Sequence, residues 1–219
     1  MLKTVVGYFI AVCTLLPANI AFAADIPSAS VALKSATAAC SVAAATGRFE
    51  TTSPVTIYMN IPRSTGQVQS IKDAPDLVQR YIATSAGGVP PQLVYQFKAT
   101  TGSVWAILRS WVDRCDIMVS GIEDKSVGDD AANFFAMGNG WRLVAKENSH
   151  LNRVKFVKIV PQANFQNYGI AALVSNAGAS SDNLNGIQIE INLIAGDISL
   201  SDTTVNVKTI RPAINPILP

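Results

Sequence analysis

Ile187-Gln188-Ile189-Glu190-Ile191-Asn192-Leu193 alternates apolar with polar side chains at every step. A period of two is that of a strand with one buried and one wet face, so the isoleucines and Leu193 point inward while Gln188, Glu190 and Asn192 face solvent. Ala195-Gly196-Asp197 then reads as a turn. Beyond it Thr203, Val205 and Val207 alternate with Thr204, Asn206 and Lys208, giving a second strand of the same sheet over 203–209.

Moving outward, the same period recurs along most of the chain. Tyr168 to Val174 is a buried-looking run ending at the polar loop 175–185, which has no large side chain except Leu184. Val154 and Phe156 are followed by Val157 and Ile159, a slip of one residue that predicts a β-bulge. Trp141, Leu143 and Ala145 form a strand, as do Leu93, Tyr95 and Phe97, and Val55, Ile57 and Met59. Two helices interrupt the pattern. One starts at Asp73-Ala74-Pro75, with Asp73 as cap, continues through Leu77, Val78, Tyr81 and Ile82, and closes at Gly87-Gly88. The other runs from Ala131 to Met137, capped by Asp129 or Asp130.

Two segments read both ways. Residues 24–46 are rich in alanine, which favours helix, but an extended arm through Val31 and Leu33 leading to a strand at Cys40 and Val42 fits as well. Residues 103–115 place Trp105, Leu108 and Val112 on one helical face, while Trp105, Ile107, Arg109 and Trp111 also alternate as in a strand. The fold class that follows is mainly β, an antiparallel sandwich-like domain with one to three short helices, with α+β as the alternative. The prolines at 212, 216 and 219 bar the tail from being a central strand.

At 219 residues with no break in composition, the chain suits one domain. Met1 to Ala23 has the form of a signal peptide: Lys3, an apolar run from Val5 to Leu16, Pro17 and Asn19, and the small-x-small site Ala21-Phe22-Ala23. The expectation is an exported domain over 24–219, in the periplasm or at the cell surface, with no later stretch able to span a membrane. The formal charge of +2 includes Lys3, and no basic run is interleaved with aromatics, so nucleic acid is not an expected partner. Of the three cysteines, Cys13 falls in the leader. Cys40 and Cys115 remain as an even pair, for which oxidation is the default after export. A free thiol nucleophile would need an activating base, and the single histidine, His150, stands in a polar stretch.

No His-x-x-His, Cys-x-x-Cys, Gly-x-Ser-x-Gly or phosphate-loop motif is present, so no metal or cofactor is implied. Glu123, Asp124, Asp129 and Asp130 lack the alternating spacing of a calcium loop and read as solvated. Trp105, Trp111 and Trp141 have apolar neighbours at regular spacing, which suits core or half-core positions.

Ala38-Ala39-Cys40-Ser41-Val42, then Arg114-Cys115-Asp116, then Thr203 to Ile210 after Gly196-Asp197 resemble the layout of chaperone-usher fimbrial subunits. The resemblance covers these short patches. It implies an incomplete immunoglobulin-like sandwich completed by an extended N-terminal arm of the next subunit. Here that arm would precede Cys40 and insert Val31 and Leu33. The chain departs from that pattern in its wide cysteine spacing, the helix at Asp73 and the proline-rich tail. The functional expectation is a noncatalytic module that binds a protein partner, or itself, through sheet edges. The alternative is a small exported hydrolase or ligand-binding protein using Trp141, His150 and the acidic loop 123–130.

Overall fold

The computed structural model describes residues 26–46, 66–85, 89–109, 113–124, 126–138, 140–148, 151–160, 168–177 and 186–198. The expected leader, the strands over 55–59 and 203–209, Trp111, His150 and the proline-rich tail lie outside them. The strands are β1 (Gly66–Gln69), β2 (Pro91–Phe97), β3 (Ser103–Arg109), β4 (Arg114–Ser120), β5 (Trp141–Asn148), β6 (Asn152–Ile159), β7 (Tyr168–Asn176) and β8 (Ile189–Asp197). The helices are α1 (Ala29–Thr46), α2 (Asp76–Thr84) and α3 (Ser126–Ala136).

All eight strands join one sheet in the order β1-β2-β3-β4-β8-β7-β6-β5, and every neighbouring pair is antiparallel. Two four-stranded meanders thus meet where their last strands pair, Ile117 lying opposite Ile191. The chain is mainly antiparallel β, with three α-helices among the described residues, as the dominant period of two leads one to expect. Among the described residues the layers against the sheet are helical: α1 and α3 on one face, α2 on the other. Of the ambiguous segment 103–115, residues 103–109 and 114–115 are strand, in β3 and β4: Trp105 and Ile107 pack under α2 while Val104, Ala106 and Leu108 pack under α1.

Over residues 29–46 the helical reading holds. Alanine propensity favours it, and the hydroxyls of Thr37 and Ser41 bond back to the carbonyls of Leu33 and Thr37, both at 2.8 Å, so they do not compete with the helix. Ala32, Ala36, Ala39 and Ala43 let the helix lie close on the sheet, and burial extends around most of its circumference. The extended arm therefore does not describe this segment. Val31 and Leu33 are in the first turns of α1, and Leu33 is buried in the chain's own core.

Five other local expectations are corrected. Ala74 precedes a proline and is extended, with φ −71° and ψ 148°, so α2 begins only at Asp76 with Pro75 as N-cap, and Asp73 sits in a preceding 3-10 turn. At its other end α2 stops at Thr84, where the Ser85 hydroxyl and N–H both bond the Tyr81 carbonyl. Helix α3 begins at Ser126 rather than after Asp130, with the Asp124 carboxylate accepting from the Ser126 N–H at 2.9 Å. The slip in β6 is not a bulge. This strand pairs without interruption along β7, with Val154 and Phe156 on the side of α1 and α3 and Val157 buried on the other, where Ile159 stays exposed; the bulge lies across from it in β5, between Leu143 and Ala145. Finally, Ala195-Gly196-Asp197 is strand, paired with Tyr168, Gly169 and Ile170. Gly196 faces Gly169 there, and a side chain on Gly169 would come within 2.4 Å of the Lys158 carbonyl oxygen.

Candidate functional site

Two polar features stand out: a buried cluster under α2, and the outer edge at β5. The cluster begins with the period of the strands. Arg109 follows Trp105 and Ile107 on the α2 face of β3, Asp116 lies on the same face of β4, and Asn192 of β8 is directly opposite Asp116. Arg109 and Asp116 have fully buried side chains and pair through Nε and Oδ2 at 2.8 Å. Arg114 donates to the other carboxylate oxygen at 2.6 Å, and the Asn192 amide donates to that same oxygen at 3.0 Å.

The helix supplies the remaining partners. Arg109 donates to the carbonyls of Ile82 at 3.2 Å and Val89 at 2.9 Å and to the Ser85 hydroxyl, so its cation sits where the last carbonyls of α2 need donors. Its guanidinium carbon lies 5.9 Å from the centre of the Tyr81 ring. The Tyr81 hydroxyl donates to Glu190 at 2.8 Å, and Asn192 also donates to Glu190 at 3.0 Å. Burial, then the charges of Asp116 and Glu190, push the Tyr81 hydroxyl well above its ordinary value. Burial alone would lower the Arg114 guanidinium, but the adjacent Asp116 carboxylate outweighs it and the net shift is upward. These bonds tie Arg109, Asp116, Asn192 and Tyr81 to one another and Arg109 to the end of α2, and so dock the helix on the sheet. Unpaired, such groups would oppose folding; paired, they fix the position of the helix.

The edge at β5 is built differently. No described strand pairs with its outer side. Leu143 is 58% exposed and Met137, just after α3, is 81% exposed, whereas Trp141 is half-buried with its ring edge-on to Phe135 at 4.8 Å. Arg142 and Lys146 are exposed and Glu147 is half-buried. Val144 has no counterpart on β6, and this bulge inverts the alternation. Leu143 and Lys146 accordingly lie on the α3 side of the sheet, opposite Phe156 and Val154, and Arg142 and Glu147 lie together on the other side, opposite Val157 and Arg153.

Those residues singled out from sequence that are described do not gather at one place. Cys40 of α1 and Cys115 of β4 do meet, joined as a disulfide with Cα atoms 5.3 Å apart and both side chains buried. Trp105 is core beneath α2. Glu123 and Asp124 are exposed before α3, Asp129 is exposed on it, and Asp130 accepts from the Ser30 hydroxyl of α1 at 2.5 Å. Among the described residues no three His, Cys, Asp or Glu side chains converge as metal ligands. The buried cluster was missed in the sequence: only Arg109 continues an apolar alternation, after Trp105 and Ile107, whereas Asn192 falls on the face of its strand read as wet and is buried because α2 covers that face. No protein-family model, curated protein or solved structure matches the chain.

Proposed function

We propose that this is an exported, noncatalytic module of the periplasm or cell surface, fibre-subunit-like in using sheet pairing, which binds a protein partner along β5. The observation that carries the reading is the outer side of β5, eight residues long, which no described strand pairs and on which Leu143 stands exposed beside a mixed set of charges. A strand edge offers a row of backbone donors and acceptors to an added strand, while side chains flanking it select the partner. The chemistry that resembles a catalytic constellation supports the same reading, since Arg109, Asp116, Asn192 and Tyr81 are consumed in holding α2. The leader-like segment 1–23 and the buried Cys40–Cys115 pair are consistent with export.

The test is a photo-crosslinking residue placed at Leu143 of the full chain in the cells that produce it, with a control at the exposed Ile71. A discrete adduct from position 143 and none from position 71 is expected, on protein recovered outside the cytoplasm and beginning at Ala24. Absence of any adduct from position 143, or retention of the whole chain in the cytoplasm, would overturn the reading.

A further inference from the structure

The bulge in β5 places a cation and an anion where a second copy of the same strand would match them. In an unbulged strand Arg142 and Glu147, five residues apart, would point to opposite faces. Here Val144 is the extra residue, so both lie on the face away from α3. Run two copies of β5 antiparallel about a two-fold axis perpendicular to the sheet, with the bulges abutting. Arg142 of each copy then lies opposite Glu147 of the other, and Leu143 of each opposite Lys146 of the other. Every facing pair shares a side of the sheet. Displacing the register by one residue would set Arg142 against Lys146, a like-charge pair drawn from opposite faces.

From this self-complementarity we infer that β5 pairs with β5 of a second copy of this chain, joining two eight-stranded sheets into one. The inference rests on the edge-binding reading above and names its partner. Neither Arg142 nor Glu147 forms an ion pair among the described residues, so both are available. The contact closes symmetrically, since an isologous interface uses the same patch twice. A charged, bulged edge ordinarily resists indiscriminate pairing. Here the bulge makes one partner fit, because it converts charges that would otherwise be scattered over two faces into a matched pair on one. Lys146 lays its aliphatic stem over the exposed Leu143 of the other copy while its ammonium stays in water. One edge strand on each side is a small interface, so the dimer should be concentration-dependent.

The experiment is sedimentation of the full exported chain over a range of concentrations, for wild type, Arg142→Glu, Glu147→Arg and the double exchange, with circular dichroism and melting temperature to confirm folding. Wild type should reach twice the chain mass. Each single reversal puts like charges face to face and should weaken association about tenfold or more, and the double exchange should restore it; the same set is repeated in an Arg153→Gln chain, because Arg153 lies opposite Glu147 in its own sheet and would meet the introduced arginine. A wild type that stays monomeric at its highest soluble concentration would overturn the inference, as would a dimer indifferent to the single reversals or a folded double exchange that fails to recover. The crosslink at Leu143 separates the two levels. An adduct of twice the chain mass supports self-pairing; an adduct of any other mass overturns self-pairing and leaves edge binding intact; no adduct overturns both.

Discussion

Arg109 makes its polar contacts entirely inside the protein, to Asp116, to Ser85 and the Ile82 carbonyl at the end of α2, and to the Val89 carbonyl just before β2. Arg109→Met should cost about 3–5 kcal/mol in denaturant unfolding, because it leaves a buried carboxylate and helix-end acceptors short of donors. Replacing Asp116 by Leu in the same chain should recover part of that loss, since it removes the stranded charge. Tyr81 couples the same cluster to pH. Its hydroxyl holds its proton in the folded state beyond the range in which an unfolded tyrosine loses it, about pH 10. The stabilisation is therefore fully present below that value and declines as the pH rises above it, because the unfolded chain then releases a proton that the folded chain keeps. Tyr81→Phe should lower stability at neutral pH by about 1 kcal/mol and flatten the decline above pH 10, read from melting temperature against pH. Gln188 shows how parity can mislead. It reads as a wet position, but its amide bonds both the N–H and the carbonyl of Ile122 at 2.6 Å, so Gln188→Lys should destabilise rather than be neutral.

At the scale of elements, α1 is held to the sheet by close packing of small side chains and by one covalent bond. The disulfide spans 75 positions, and closing a loop of that length restricts the unfolded chain by roughly 4 kcal/mol in the chain-entropy model. Cys40→Ser, Cys115→Ser and the double mutant should lose similar stability, without additivity, because each removes the same bond. Titration of unfolded, unreduced protein should find neither thiol free. Ala39→Leu should cost about 1–3 kcal/mol, since a larger side chain has no room between helix and sheet. The alanine content of this segment was plain in the sequence, but alanine tolerates both an arm and a helix. What decides for the helix is the long-range contact with β3, β4 and β8 that only small side chains permit. Similarly, the slip along Val154 to Ile159 was visible, and its cause was not. Alternation reports which side a residue faces; whether that side is covered depends on residues far away in the chain.

Across the whole molecule, β4 and β8 form the seam between two meanders, and Ile189, Ile191 and Leu193 line it beneath α1. Ile189→Asp should abolish cooperative unfolding, because an unpaired carboxylate would be forced into this seam where both halves of the sheet depend on packing. Glu190→Lys, on the other face, should also cost stability by removing the acceptor of Tyr81 and Asn192, though the fold should survive. The amino-acid sequence by itself determined that the chain is mainly antiparallel β, where most strands run, that a short helix carries Leu77, Val78, Tyr81 and Ile82, and that Cys40 and Cys115 are the pair to join. These are properties of neighbours, carried by a period of two, by helical spacing and by cysteine count. Only the tertiary structure decided the strand order, the helices on both faces, the buried Arg109–Asp116–Asn192 cluster and the bulge that brings Arg142 and Glu147 to one side. Each of these depends on contacts between segments distant in sequence, and a local pattern holds no record of what comes to lie against it.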